Sequence, residues 1–357
     1  MVLYISDFRI KEEELSMSKK LIAFLYNVRH TYPDPNDPKS QLETDYDDPA
    51  TIRAIWKHIE NMGYQVLPIE ANEKAYIKLM RNRKSIHLAY NYSLGLHGYD
   101  RYGQLPAMME MLQIPYTGAR PLAQSLVQDK EMMKDVLLAN HVPTLPYQVF
   151  HGKPGRIRRK LKFPMIVKPV SQGSSAGITN DSVVYNEERL SEQVEHIVKW
   201  FPSGALVEPF ITGREFSVPM LGNPPQFLPF IEADHSTLPE GYQPLDSLEV
   251  KWILEEESAE GSDHLICPAD INMKLRAKLE RVCLGCWRWL EMIDYCRIDV
   301  RLDDAGQPYV LDVNSPPGFI PPEVSMTSYF PLAAREAGMG YEELLQKLFN
   351  SALERYK

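Results

Sequence analysis

Four polar residues near the C-terminus have the types and spacing of a metal and phosphate site. Two alternating runs flank Ala305-Gly306, which predicts a β-hairpin with a two-residue loop. In that register Asp299 lies opposite Asp312 and Arg297 lies opposite Asn314, and opposed residues point to the same face. Two carboxylates so placed repel each other unless a positive group lies between them. The oxygen donors suit Mg²⁺ or Mn²⁺ and argue against zinc, and the arginine could hold a phosphate.

Spacing alone leaves a second interpretation of this hairpin open. The same residues could form a polar face that only meets solvent. A register slip of one residue would place Asp299 opposite Leu311 and would separate the two carboxylates.

A loop of small residues, Ser171 to Gly177, follows a predicted strand that ends at Lys168-Pro169. It matches neither the Walker pattern nor the dinucleotide-binding pattern. Its backbone amides and the hydroxyls of Ser174 and Ser175 could close over phosphates, with glycine allowing close approach. A flexible hairpin tip is the alternative, and the loop considered by itself favours that alternative.

The first third of the chain alternates predicted strands and helices, as a parallel α/β layer does. A buried strand is predicted at Lys19–Asn27, and a helix with Asp48 as its cap and Pro49 in its first turn follows. Between them, residues 28–48 form a long loop rich in Pro, Asp and Asn at the carboxyl end of the strand, where open α/β sheets bind ligands. A plain surface excursion is equally compatible with this composition. The first seventeen residues are left open as an extra strand, an oligomer arm or a disordered segment.

Composition limits the class of protein. The chain has 357 residues and 44% hydrophobic content, enough for two or three domains with their own cores. Its 39 basic and 48 acidic residues give a net charge of -9, which disfavours a nucleic-acid partner. It shows neither a membrane-spanning run nor a signal peptide, so we expect a cytoplasmic protein. Of its four cysteines, Cys283 and Cys286 are expected to pack within a helix.

The charged residues of the later chain follow one another in a set order: Lys130, Lys168, Glu208, Glu215, Lys251, then Arg297 and Asp299, then Asp312 and Asn314. Five segments accompany them: IPYTGARPLAQSLVQDK, FPMIVKPVSQGSSAG, VEPFITGREFSV, CRIDVRLDDAGQPYVLDVNSPPG and FPLAAREAGMGYEELL. The order resembles that of the ATP-grasp superfamily, and the segments resemble its D-alanine:D-alanine ligase branch. The resemblance covers the chain from about residue 85 to the C-terminus, whereas the earlier part is similar only in its α/β layout.

The resemblance implies a three-domain ATP-grasp fold that is α/β in its N-terminal part and α+β in its C-terminal part. Residues 1–122 would form the N-terminal α/β domain, residues 123–208 the central subdomain with the Gly/Ser lid loop, and residues 209–357 the C-terminal subdomain with the metal site. ATP would lie between the two subdomains.

The resemblance also implies roles for individual residues on the nucleotide side. The residues that would contact ATP are Lys130 and Lys168 at the phosphates, Ser174 and Ser175 in the lid, Glu208, Phe210 and Ile211 in the hinge beside adenine, Glu215 at the ribose, and Lys251 at the γ-phosphate from a mobile loop.

On the reaction side, Asp299, Asp312 and Asn314 would bind two Mg²⁺ ions. Arg297 and the amide of Gly318 would stabilise a tetrahedral intermediate. The implied catalytic set is Arg297, Gly318, Ser174 and Lys251, and the implied substrate-binding set is Arg297, Gly318, Ser328 and Trp252.

Four departures from the family pattern concern the substrate side or its border. The 28–48 loop replaces a short segment whose glutamate holds the first substrate, and no glutamate can be assigned there. Trp252 stands where a tyrosine is usual and cannot accept a hydrogen bond. Asp312 is shorter than the usual glutamate. About five extra residues follow the Pro-Pro-Gly run, before Ser328 matches the residue that holds the second substrate's carboxylate.

The main hypothesis is therefore an ATP-dependent ligase that joins an amino-acid carboxylate to an amine through an acyl phosphate, releases ADP and phosphate, and belongs to specialised metabolism. Three alternatives stay open: a D-alanine:D-alanine ligase of cell-wall synthesis, an enzyme that loads an amino acid onto a carrier-protein thiol, and a non-catalytic nucleotide-binding module. The expected partners are amino-acid-like small molecules, with a homodimer and a carrier protein left open.

Overall fold

The computed structural model describes residues 19–254 and 264–357. The first seventeen residues and the middle of the loop expected to carry Lys251 lie outside the described residues.

Three parallel strands form the N-terminal sheet in the order β2-β1-β3: β1 (Leu21–Tyr26), β2 (Gln65–Glu70) and β3 (Ile86–Asn91). Four helices accompany it: α1 (Pro49–Asn61), α2 (Ala75–Asn82), α3 (Arg101–Leu112) and α4 (Pro121–Gln128). Helix α1 begins where the sequence predicts, because the Asp48 side chain accepts hydrogen bonds from the amides of Ala50 and Thr51. Strand β1 is buried on both faces, as a parallel strand covered by helices must be.

A second sheet is antiparallel, with the strand order β4-β7-β5-β6. Its strands are β4 (Gln148–Phe150), β5 (Met165–Pro169), β6 (Val183–Val184) and β7 (Ala205–Pro209). Helix α5 (Lys130–Ala139) precedes it, and α6 (Glu187–Trp200) packs on it through Leu190, Val194 and Ile197. The sheet therefore has a core of its own.

The third sheet is antiparallel and carries the hairpin that the sequence singled out. Its strands are β8 (Glu215–Leu221), β9 (Gln226–Phe227), β10 (Ile231–Ala233), β11 (Leu265–Ile266), β12 (Tyr295–Leu302) and β13 (Pro308–Asn314). Helix α7 (Met273–Trp289) covers one face, and its Cys283 and Cys286 are buried among apolar side chains, as predicted.

The predicted pairing of the hairpin is confirmed. Asp299 lies opposite Asp312, and Arg297 lies opposite Asn314. The one-residue slip that would have separated the carboxylates does not occur.

The predicted two-residue loop of this hairpin is wrong. The Asp303 amide donates to the Gln307 carbonyl at 3.0 Å, so three residues form the loop, with Gly306 in the left-handed region at φ +68°. Leu311 is the extra residue of a bulge on β13, and it shifts the pairing back by one position. The longer loop and the bulge offset each other, so the expected register is kept at the polar end.

The chain ends in two helices, α8 (Tyr329–Glu336) and α9 (Tyr341–Glu354). Leu345 and Phe349 of α9 share one core with Ile22 and Phe24 of β1, so the C-terminus closes over the N-terminal sheet. Across residues 19–254 and 264–357, none of the helices is both long and apolar enough to cross a bilayer. The domain boundaries given above stay predictions.

Candidate active site

A cleft of about 990 Å³ lies between the three sheets and brings the predicted site residues together. Its lining includes every residue that the sequence nominated: Lys130, Lys168, Ser174, Ser175, Glu208, Phe210, Ile211, Glu215, Lys251, Trp252, Arg297, Asp299, Asp312, Asn314, Gly318 and Ser328. These positions come from segments up to nearly two hundred residues apart, so the fold alone assembles them.

Asp299 is held by polar groups on the inner face of the hairpin. Its two carboxylate oxygens accept hydrogen bonds from Nε and Nη2 of Arg297, both at 2.9 Å. Ser217 Oγ donates to it at 2.6 Å and Asn314 Nδ2 at 2.8 Å. Burial acts to raise the pKa of Asp299, but the charge of Arg297 and the hydrogen bonds from Arg297 and Ser217 lower it overall. The carboxylate is therefore ionised and fixed in orientation.

Asp312 faces a different cation. Lys130 Nζ lies 3.5 Å from its carboxylate and donates to the Gln172 carbonyl at 2.6 Å. The two opposed carboxylates that seemed to require a positive group thus each have one from the protein itself, Arg297 on one side and Lys130 on the other.

The donor set fits a magnesium ion shared with phosphates. It offers two carboxylates and one amide, and the described residues contain no cluster of three or more Asp, Glu, His or Cys residues able to hold a metal alone. Mg²⁺ is commonly held by one or two carboxylates with substrate phosphates and water completing its shell, whereas zinc prefers nitrogen and sulfur. The hairpin therefore suits a metal that arrives with a nucleotide.

Lys168, one of the two lysines expected to contact phosphates, belongs to a buried ion triad. Glu208 lies between two lysines, with Lys168 Nζ 2.7 Å and Lys134 Nζ 2.6 Å from its carboxylate oxygens. Burial acts to raise the pKa of Glu208, and the two lysines lower it overall. Burial lowers the pKa of Lys134, which also donates to Thr144 Oγ1 at 2.7 Å. The side chain of Glu208 is thus engaged by the protein, and Lys168 is held at the cleft wall.

The Gly/Ser loop adopts a strained, well-contacted conformation. Ser174 and Ser175 have φ values of 46° and 61°, in the left-handed region. Ser175 Oγ donates to the Asp246 carbonyl at 2.6 Å, and Trp252 Nε1 donates to the Ser174 carbonyl at 3.5 Å. The loop is therefore not a free hairpin tip. It is hydrogen-bonded to the segment that carries Lys251.

The loop of residues 28–48 lies against the cleft, so a plain surface excursion is not what the structure shows. Asp45 accepts hydrogen bonds from Arg101 Nη2 at 2.6 Å and from the Tyr102 hydroxyl at 2.9 Å. Its Oδ1 lies so close to Gly173 that a Cβ atom there would overlap it. The Gly177 amide also donates to a side chain of the loop, Gln41 Oε1, at 2.9 Å. This loop consequently connects the N-terminal layer to the Gly/Ser loop.

Near the start of the 28–48 loop, an arginine and a tyrosine pack on the ring of Trp252. The guanidinium of Arg29 lies 4.6 Å from the centre of the Trp252 ring and 5.1 Å from that of Tyr32. Tyr32 and Trp252 meet edge to face at 5.7 Å. Trp252 is therefore held by residues of the 28–48 loop.

Sequence reasoning missed several polar residues of the cleft. Asp47 lines it, and burial raises its pKa to about 6 although Tyr92 donates a hydrogen bond to it. Its position directly before the helix cap Asp48, in the loop at the carboxyl end of the first predicted strand, was the available signal. Arg301 pairs with Glu215 at 3.2 Å, and its alternation with Arg297 and Asp299 along β12 could have identified it. The contacts of Asp246 had no sequence signal.

Comparisons with known proteins agree with this architecture. The family described as D-ala D-ala ligase C-terminus matches residues 140–350. The uncharacterized protein y4sG of Sinorhizobium fredii is 34% identical over 305 residues, which cover 84% of this chain and 86% of that protein. The D-alanine–D-alanine ligase of Pelotomaculum thermopropionicum is 31% identical over 316 residues, which cover 85% of this chain and 91% of that enzyme.

A solved structure shows the same fold. The D-alanine–D-alanine ligase from Bacillus anthracis, complexed with ATP, aligns with a TM-score of 0.66 at 23% identity and covers 94% of this chain and 98% of its own. The predicted ATP-grasp architecture is confirmed by this likeness. The roles of the individual site residues stay predictions.

The ion triad makes a prediction about stability. Lys134→Met leaves Glu208 with a single lysine in a buried setting, and removing one partner of a buried ion network costs on the order of 3 kcal/mol. We expect urea denaturation, followed by circular dichroism, to show that loss. Lys153→Met is the control, because its amine lies 3.7 Å from Glu195 at an exposed position and its loss should cost less than about 1 kcal/mol. Equal effects of the two changes would contradict the account of the triad.

Proposed function

Because the chain belongs to the D-alanine–D-alanine ligase family and is an ADP-forming carboxylate-amine ligase of the ATP-grasp fold, we propose that it joins an amino-acid carboxylate to an amine in specialised metabolism. The observation that carries this proposal is the make-up of the cleft. A nucleotide half with every expected charged residue adjoins a substrate half built from the 28–48 loop and Trp252.

In the nucleotide half, three lysines from different elements would meet the phosphates of ATP. These are Lys130 at the start of α5, Lys168 on β5 and Lys251 in the π-helical turn Val250–Leu254. Asp299, Asp312 and Asn314 would hold two Mg²⁺ ions. Magnesium, when bound with ATP, would neutralise charge on the phosphoryl group that is transferred.

The chemistry would take place in two steps. A substrate carboxylate attacks the γ-phosphorus, ADP leaves, and the amine then displaces phosphate from the acyl phosphate and loses a proton to give the amide. Arg297, held by its paired bonds to Asp299, would stabilise negative charge on the reacting carbonyl together with the Gly318 amide. The closed contacts of the Gly/Ser loop would keep water from the acyl phosphate.

In the substrate half, we propose that Asp47 recognises the ammonium group of one substrate. Asp47 lines the cleft, carries a negative charge when ionised, and is oriented by the hydrogen bond from Tyr92. Trp252 contributes a flat apolar surface and no acceptor. Such a subsite takes an amino acid, and the Arg29, Tyr32 and Trp252 cluster would limit its shape.

A second candidate is ligation of D-alanine to D-alanine. The observation that favours it is that the relative from Pelotomaculum thermopropionicum, at 31% identity over most of both chains, is named D-alanine–D-alanine ligase. Family membership sets aside the non-catalytic alternative. The thiol acceptor, the carrier protein and the homodimer stay predictions.

Substrate screening tests the main proposal. The purified protein is incubated with ATP, Mg²⁺ and paired pools of D- and L-amino acids, phosphate release is measured, and products are identified by mass spectrometry. We expect amide formation from a pair other than D-alanine with itself, and only background release when the amine is left out. Efficient dipeptide formation from D-alanine alone would favour the second candidate. No release with any pair would contradict both.

Asp299→Asn tests the role of the hairpin. The substitution removes the charge that would hold the metal and Arg297 while it keeps the size of the side chain. We expect turnover to fall by about 1,000-fold or more, with an unchanged circular dichroism spectrum. Asp303→Asn in the loop of the same hairpin should retain turnover within about two-fold, because Asp303 accepts from loop amides and the Tyr309 hydroxyl and does not line the cleft. Activity of the Asp299 variant at saturating Mg²⁺ would refute the assignment.

Asp47→Asn tests the ammonium subsite through pH. A carboxylate binds an ammonium group only when it is ionised, and burial raises the pKa of Asp47 to about 6. The KM for the amino-acid substrate should therefore fall as the pH rises through about 6 in the wild type. In the variant the KM should be about 10-fold higher and flat over that range. Asp37→Asn, at an exposed position of the same loop, is the control. An identical pH dependence in the Asp47 variant would exclude the subsite.

A further inference from the structure

Tyr329 connects the substrate side of the cleft to Arg297. It is the first residue of α8, and the centre of its ring lies 5.0 Å from the guanidinium carbon of Arg297. A cation over the face of an aromatic ring is attracted to it, more strongly where water is excluded. Arg297 is therefore held along one edge by Asp299 and across one face by Tyr329.

The hydroxyl of Tyr329 is held by Asp246, which is paired with His235 away from solvent. It donates to Asp246 Oδ2 at 2.8 Å, and His235 Nε2 lies 2.9 Å from Asp246 Oδ1. The side chains of His235 and Asp246 are only 5% and 12% exposed, so little water competes for these bonds. Burial acts to raise the pKa of Asp246, but the hydrogen bond from His235 and the charges of Lys251 and His235 hold it well below its usual range.

Asp246 also reaches the Gly/Ser loop through its main chain. Its carbonyl accepts the hydrogen bond from Ser175 Oγ at 2.6 Å, and two residues later the Leu248 amide donates to the Ile178 carbonyl at 2.8 Å. Asp246 thus contacts both the Gly/Ser loop, which is expected to cover the phosphates, and Tyr329, which packs on Arg297.

We propose that Tyr329, Asp246 and His235 form a positioning network that fixes the guanidinium of Arg297 over the reacting carbonyl when the Gly/Ser loop is closed. The inference rests on the proposed function, because that function assigns Arg297 its task. Trp252 cannot accept a hydrogen bond, and the hydroxyl of Tyr329, bound to Asp246, supplies a polar anchor at another position in the cleft. None of the three residues needs to touch a substrate, so their contribution is to orientation.

Substitutions at Tyr329 separate the ring from the hydroxyl. Tyr329→Leu removes both, and we expect kcat to fall about 100-fold, because a small displacement of a catalytic group has effects of that size. Tyr329→Phe keeps the ring on Arg297, so its kcat should be about 10-fold higher than that of Tyr329→Leu. Asp246→Asn should resemble Tyr329→Phe, and the KM for ATP should stay within about two-fold of the wild type in all three.

Two controls distinguish positioning from a general loss of structure. Tyr185→Phe removes a hydroxyl that donates to Gln243 at an exposed position, and it should leave kcat unchanged. Thermal unfolding measured on each variant shows how much enzyme is folded, and a purely structural role would leave kcat per folded enzyme at the wild-type value. That result, or kcat of Tyr329→Leu and Asp246→Asn within about two-fold of the wild type, would overturn the proposal.

A binding measurement tests the network without any amino-acid substrate. Calorimetry gives the affinity for ADP with Mg²⁺, alone and with aluminium fluoride, a mimic of the phosphoryl group in transfer. We expect aluminium fluoride to raise the affinity of the wild type for ADP. In Tyr329→Leu this gain in affinity should be about 10-fold smaller, and the affinity for ADP alone should not change. An unchanged gain in the variant would overturn the network, whereas lack of turnover by the wild type in the substrate screen would count against the proposed function only.

Discussion

The cleft depends on one electrostatic constraint, the neutralisation of carboxylates that the fold removes from water. Glu208 shows it most clearly, because it lies between Lys134 of α5 and Lys168 of β5 with all three side chains almost fully buried. An isolated charge there would be very costly, so helix and sheet must approach closely enough to share it. The same contact places Lys168 at the wall of the cleft.

This solution recurs around the site. Asp299 pairs with Arg297 within β12, Glu215 of β8 pairs with Arg301 of β12, and Asp45 of the 28–48 loop pairs with Arg101 of α3. The last two pairs limit where the elements that they join can lie. The charged side chains of the cleft are therefore held by partners from the protein itself, and preorganised stabilisation of a phosphoryl group requires charges held in this way. Replacing one of these charged residues leaves its partner without a counter-charge, in addition to removing a contact.

The sequence predicted the parts of the site whose signals are local. The face of the hairpin follows from alternation, so Asp299 and Asp312 were paired correctly even though the loop length was wrong, because the bulge at Leu311 offset the error. Helix α1 was located by its Asp48 cap for the same reason. The 28–48 loop could not be placed, since its position is set by Arg101 and by the Gly/Ser loop, which lie far along the chain and leave no periodic pattern.

The substrate half differs from the nucleotide half in what its sequence must satisfy. Charged phosphates and a metal require particular charges at particular distances, whereas an amino-acid pocket needs a shape and a few polar anchors. Trp252 shows the consequence: it cannot accept a hydrogen bond, yet Arg29 and Tyr32 pack on it and the Ser174 carbonyl accepts from its indole. In the proposed function, Asp47 and the Asp246 and Tyr329 pair supply the polar anchors instead. Asp246 is also bonded to the Gly/Ser loop through Ser175, whereas Asp47 is held by Tyr92 after β3. In the proposed function, the residues around Asp47 can therefore change with the substrate while the geometry at Arg297 is kept.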